Sequence, residues 1–264
     1  DNEYTQKFGK QQGKYYVPQR AAAGLDPWAT PQAYDNAKDF FDTGITWSNS
    51  LNVAQMLDKS SYSISLGNTH QDGIISSTGM DRYNVKVSAD TKLTNNWSSG
   101  FTANYITTSI DKAVTSGNGL LRTVYAAPPS YDLAGIPSHV DGNPYTQNSF
   151  RGSFDNAYWA MENNKFTEDT NRFFGNVYAS YQTDFGTTNH KLNAKYMVGV
   201  DAYTTHYVDS YGYGSNTGGG RGQIENYGWT NATYNSLLTI NYDWRIDEDW
   251  GLNAVLGNEI IQSN

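Results

Sequence analysis

Two runs of alternating side chains, Asp81 to Leu93 and Trp97 to Thr107, flank the tripeptide Thr94-Asn95-Asn96. In the first, Tyr83, Val85, Val87, Ala89 and Leu93 fall on one parity, and Asn84, Lys86, Ser88, Asp90 and Lys92 on the other. In the second, Trp97, Phe101, Ala103 and Tyr105 alternate with Ser98, Gly100, Thr102 and Asn104. A period of two sends successive side chains to opposite sides of a sheet, so the pair reads as a hairpin with one apolar and one polar face. The pattern recurs downstream. From Lys191 to Tyr203, Leu192, Ala194, Tyr196, Val198, Val200 and Ala202 alternate with Lys191, Asn193, Lys195 and Asp201. From Asn231 to Ile246, Tyr234, Leu238, Ile240, Tyr242, Trp244 and Ile246 alternate with Asn231, Thr233, Asn235, Thr239, Asn241, Asp243 and Arg245. In both runs every charge lies on one parity.

Read through, the period predicts about eight strands: Ile45 to Leu57, Tyr62 to Ile75, Asp81 to Leu93, Trp97 to Lys112, Arg172 to Phe185, Lys191 to Tyr211, Trp229 to Ile246 and Trp250 to Ile261. Tight connections fall at Asp58 to Ser61, Thr94 to Asn96, Gly186 to Asn189 and Asp247 to Asp249, where Asn, Asp, Gly and Ser supply turn chemistry. Between the hairpins much longer loops are expected. Ala113 to Asn171 carries too many aromatic residues for a solvated tail and should fold over something; Ser210 to Tyr227, with its glycine run Gly218-Gly219-Gly220-Arg221-Gly222, should be more flexible. Residues 1–44 are rich in Gly, Gln and Pro without a sustained period and read as an irregular or extended lead-in to the strands of residues 45–264.

Tight turns at one end and long loops at the other are the asymmetry of an antiparallel transmembrane β-barrel. A Lys or Arg at a lipid-facing mid-membrane position costs roughly 2–4 kcal/mol, so the charge-free parity is assigned to lipid and the charged one to water. Trp97, Phe185, Trp244 and Trp250 flank the tight turns, where rings with a polar edge favour the headgroup boundary. A soluble β-sandwich would also give half-buried strands. Its core, though, would be denser in aliphatic residues than these mixtures of Tyr, Ala and Thr.

Composition narrows the picture further. Hydrophobic residues make up 38% of the 264, and no stretch approaches the roughly 18 apolar residues that a membrane-spanning helix requires. A net charge of −8 argues against a nucleic-acid partner. With no cysteine, neither a disulfide framework nor a thiolate metal site is expected. The chain opens at Asp1 without a basic and apolar leader, so any secretory signal is expected to lie upstream or to have been removed.

Catalytic constellations are poor. His70, His139, His190 and His206 lack metal-ligand spacing, and the glycine run lacks the Lys-Ser/Thr ending of a phosphate loop. No Gly-x-Ser-x-Gly elbow occurs, and Glu168-Asp169 and Asp247-Glu248-Asp249 read as solvated turn acids. No enzyme activity, cofactor or metal is expected.

The succession Phe40-Phe41-Asp42-Thr43-Gly44, then Tyr62 through Gly67-Asn68-Thr69-His70-Gln71-Asp72-Gly73 to Ile75, then Asp81-Arg82-Tyr83-Asn84, closely resembles the SusC/RagA-type TonB-dependent transporters of Bacteroidota. Ala127-Pro128-Pro129-Ser130-Tyr131-Asp132-Leu133 is similar to that family's proline-marked extracellular segment. Asn156-Ala157-Tyr158-Trp159 and Thr170-Asn171-Arg172-Phe173-Phe174-Gly175-Asn176-Val177 are similar to its re-entry into the barrel. The likeness covers most of residues 36–205. Ala157 departs from a proline that family members often carry.

The family's barrel has about 22 strands around a plug domain. About eight strands and no plug are read here, so the chain is expected to be a fragment of a longer transporter. The resemblance implies import of oligosaccharides, or alternatively oligopeptides, across the outer membrane. It further implies TonB energisation through the plug, a SusD-like surface lipoprotein as partner, and contact with outer-membrane lipid. On that reading Lys86, Asp90, Lys195, Asp201, Asp243 and Arg245 face the lumen or plug. Rings able to stack on a sugar or peptide make Trp28, Tyr125, Tyr131, Tyr158 and Trp159 the first candidates for ligand contact. From other classes, a secreted β-sandwich that binds glycans and a glycan-degrading enzyme using loop carboxylates stay open.

Overall fold

The computed structural model describes residues 9–114 and 119–264. Residues 1–8 of the lead-in and 115–118 of the long loop lie outside the described residues. The strands in chain order are β1 (Lys10–Gln11), β2 (Lys14–Tyr16), β3 (Trp28–Ala29), β4 (Thr46–Met56), β5 (Ser60–Asp72), β6 (Gly79–Lys92) and β7 (Trp97–Lys112). They continue as β8 (His139–Val140), β9 (Asn143–Gln147), β10 (Lys165–Thr183), β11 (His190–Tyr211), β12 (Gln223–Arg245) and β13 (Gly251–Ser263). Eight of them form one sheet in the order β13-β12-β11-β10-β7-β6-β5-β4, every neighbouring pair antiparallel. The fold is all-β in its bulk, with short helices at Pro18–Ala22, Asn36–Phe40, Leu120–Ala126 and Ala157–Asn163.

Register fixes the faces. Leu51, Leu66, Val85, Tyr105, Phe173, Ala202 and Ala232 are successive Cα partners and form one lateral row. One residue along, Asn52, Ser65, Lys86, Asn104, Phe174, Asp201, Thr233 and Ser263 form the next row, on the opposite face. Because partners share a face and parity alternates, Lys86, Asp90, Lys195, Asp201, Asp243 and Arg245 all project from the same side. Across the middle of the sheet the other side carries no charge.

Most strand ends shift by a few residues from the sequence reading, and three differences change the picture. β10 begins at Lys165 rather than Arg172, and β12 at Gln223 rather than Trp229. In the β10 extension charge appears on both parities, Glu168 beside Asp169, and in the β12 extension the uncharged parity carries Asn226 and Gly228, so neither shows a clean apolar alternation. The third concerns loop length: β5 and β6 are joined by Gly73 to Thr78, not by a long loop, and Gly73 N–H bonds to Thr78 O at 2.8 Å. A Cβ on Gly73 would lie 2.0 Å from Thr78 Oγ1, so a side chain there would have to displace that hydroxyl from its bond to Ile75 O at 2.6 Å.

The strands lengthen along the sheet, from 11 residues in β4 to 23 in β12. The sheet has no buried core of its own. Leu51 and Val53 are 58% and 57% exposed, and every residue of the edge strands β4 and β13 is exposed. Apolar burial is concentrated instead in a cap at the long-loop end, where Tyr15, Val17, Phe40, Ile75, Leu120, Val124, Tyr131, Leu133, Ile136, Phe150 and Trp159 cluster.

Candidate functional site

The cap sits on the charged face. Phe166 of β10 and Tyr211 of β11 project from the parity of Lys195, pack edge to face at 5.0 Å, and line a cavity of about 660 Å³ beneath Leu120, Ala160 and Met161. Two distant segments build the cap. Tyr15 Oη donates to Ser130 O at 2.6 Å, and Asn148 Nδ2 to Gln19 O at 2.7 Å. Asn36 Nδ2 donates to Pro128 O at 3.3 Å while its Oδ1 accepts from Leu133 N at 3.1 Å. The lead-in, expected to be irregular or extended, therefore carries short elements and is sewn to the long loop. Tyr34 N–H also bonds to Pro129 O at 2.7 Å, which gives the proline-marked segment a structural partner.

Asn156 caps the helix Ala157–Asn163 through its side chain, accepting from Tyr158 N at 3.0 Å and Trp159 N at 3.2 Å. Ala157 starts this helix, so the absence of proline there does not prevent the turn. Next to it Asp155, almost completely buried, organises the β11–β12 loop. Its carboxylate accepts from Gln147 Nε2 at 2.7 Å, Ser215 Oγ at 2.6 Å, Asn216 N at 2.7 Å and Asn216 Nδ2 at 2.8 Å. Such a set of donors satisfies a buried carboxylate without a cation. The glycine-rich loop, expected to be more flexible, is thus pinned to the cap at its base.

The five aromatic candidates for ligand contact divide. Trp159 is 0% and Tyr131 2% exposed, Trp159 Nε1 donating to Pro144 O at 2.8 Å and Tyr131 packing on Phe150 at 5.0 Å. Both are core residues, and that corrects the expectation for them: an enclosed ring offers no face to a ligand. Trp28 is half-buried against Tyr16, edge to face at 5.5 Å. Tyr158 is half-buried, packs on Phe40 and donates to Asp39 O at 3.2 Å. Burial, reinforced by the Asp39 carboxylate, pushes its phenol above the usual tyrosine range. Tyr125 alone stands mostly free, tilted against Phe41 at 6.4 Å.

Along the charged face, ion pairs and rings approach the cap. Arg172 Nε donates to Asp201 Oδ1 at 2.8 Å, and Lys112 pairs with Glu168 at 3.2 Å. Lys195 Nζ lies 4.1 Å from the centre of the Tyr178 ring, and Tyr178 Oη donates to Asp90 at 2.6 Å. Nearer the loops Tyr207 and Tyr227 stack at 5.0 Å with planes 9° apart, and Trp229 lies 5.1 Å from Tyr207. Sequence reading passed over these three. Their odd numbers in β11 and β12 put them on the parity of Lys195 and Asp243; Tyr207 and Trp229 lay within the expected strands without being singled out, and Tyr227 fell in the expected loop.

No protein-family model matches the chain, and no curated protein matches it. Solved structures do. A RagAB peptide importer chain in the closed-closed state aligns with a TM-score of 0.71 at 17% identity, over 88% of this chain and 26% of that one. The open-open state gives 0.71 at 16% over the same shares, as does a further structure of the RagAB peptide transporter. At such identity the likeness is one of fold, and at that level the resemblance to RagA-type transporters read from the residues holds. This chain spans about a quarter of the length of the structures it matches, 26%.

Proposed function

We propose that these residues form part of the wall and the outer mouth of a TonB-dependent outer-membrane importer. The carrying observation is the disposition of the two faces: a charge-free band on which none of the described residues pack, backed by a charged face that the cap overhangs. In the bilayer every backbone polar group must be paired, so the edges of β4 and β13 would be completed by further strands of a closed barrel. The uncharged band would lie against lipid. Lys86, Asp90, Lys195, Asp201, Asp243 and Arg245 would face the lumen or a plug, through which TonB would act, and a SusD-like lipoprotein would cover the cap. The role is passage, without catalysis.

For cargo the reading is oligopeptide, because the structures of the same fold are peptide importers and the lumen-side mouth combines carboxylates with rings. Oligosaccharide, which the residue-level resemblance put first, stays as a second reading: rings such as Trp229, 48% exposed, also suit sugar faces. Growth of a strain deleted for the full-length gene decides between them. Loss of growth on peptides as sole nitrogen source, with oligosaccharide use intact, is the expected result; the reverse pattern favours glycans. Unimpaired uptake of both would remove the importer reading altogether.

A further inference from the structure

The ring stack on β11 and β12 has an open flank and an uncompensated charge beside it. Lys112 Nζ approaches the stack from the β7 side, 4.4 Å from the centre of Tyr207, while bonded to Glu168. The stack thus already holds one ammonium of its own chain. On the other flank Tyr227 and Trp229 are 44% and 48% exposed. Nearby charges cancel in the pairs Lys112–Glu168 and Arg172–Asp201. Asp209 and Glu225 are different. Asp209 accepts from Tyr227 Oη at 3.1 Å and Glu225 from Gln223 Nε2 at 2.5 Å, both neutral donors, and among the described residues neither carboxylate has a cationic partner. As odd-numbered residues of β11 and β12 they project from the same face as the rings.

From this juxtaposition we infer that Tyr227, Trp229, Asp209 and Glu225 form a subsite for a cationic side chain, lysine or arginine, of an incoming oligopeptide. The inference rests on the importer reading above and refines its cargo. A π face attracts a cation through the ring quadrupole, and two carboxylates held only by neutral donors beside it set the sign of the local potential. An acidic chain would be repelled. A neutral sugar could use the rings but would leave the carboxylate charge without a counter-ion.

The test uses the full-length protein in detergent and three fluorescent peptides of equal length. They differ only in a central arginine, its neutral isostere citrulline, or glutamate, and binding is followed by anisotropy. The arginine peptide is expected to bind about tenfold more tightly than the citrulline peptide, the size of one cation–π contact with an adjacent carboxylate. Both Y227A/W229A and D209N/E225Q should erase that preference, so that within each variant the arginine and citrulline peptides bind with the same affinity to within about twofold. If the ring variant fails to assemble, the isosteric amide variant, which keeps both rings, carries the test. A charge preference absent from the wild type, or surviving in the amide variant, overturns the subsite alone. Failure of the wild type to bind any of the peptides, with a neutral oligosaccharide bound instead, overturns the peptide cargo and the subsite with it.

Discussion

The sheet and the cap dispose of their apolar side chains in opposite ways. In the cap, Trp159, Tyr131 and Leu133 turn inward and are almost wholly enclosed. In the sheet, Leu51, Val53 and Val198 stand 58%, 57% and 42% exposed although their backbones are paired. Hydrogen bonding and apolar burial are thus separated in space. Between its two open edges the sheet satisfies the first by strand pairing, but the second, worth about 25 cal/mol per Å² of apolar surface, is left to whatever covers its apolar face. The cap encloses its apolar side chains by itself.

The largest expected effect tests whether the cap is an independent core. Trp159→Ala removes its most enclosed ring and should cost the cap about 3–5 kcal/mol. Hydrogen exchange should then rise across residues 119–164 with sheet amides unchanged; a uniform rise through β10 and β11 would show that the two regions unfold together. Next in size is the test of the sheet's outer medium. Val87→Arg or Val198→Arg should each cost about 2–4 kcal/mol and reduce heat-modifiable, membrane-assembled protein, whereas Lys86→Ala and Lys195→Ala should be tolerated. Equal tolerance of both classes would reverse the assignment of the faces. Smallest is the joint between the regions. Asp155→Ala leaves the Ser215, Asn216 and Gln147 donors without their acceptor, at about 1–3 kcal/mol, and should speed proteolytic nicking within Gly218 to Gly222. An unchanged nicking rate would mean that other contacts hold the loop.

How much of this was legible in sequence follows the same division. Through the apolar band the alternation of Tyr83 to Leu93 and Leu192 to Ala202 fixed both strand and face, because one side is barred to charge. Beyond the band that bar lapses. His70, Asp81, Asp169 and His206 occupy the otherwise uncharged parity near the loops, His70 Nδ1 lying 2.7 Å from Asp81 Oδ1. There the period fades, and the first residues of β10 and β12 read as loop. The cap was opaque for another reason. Its helices have only 5 to 7 residues, too few to display a helical period. Aromatic density announced that residues 113–171 fold over something. It could not tell the enclosed Tyr131 and Trp159 from the open Tyr125.

The stitching of the cap also sets a chronology. Tyr15 meets Ser130, Gln19 meets Asn148 and Asn36 meets Leu133 across 115, 129 and 97 positions, and β4 to β7 lie between the two halves. Contacts so remote close slowly, since a long intervening chain must be ordered first. During biogenesis the cap would be finished only after those four strands are ordered, so a chain halted before residue 119 would leave that rim of the sheet bare.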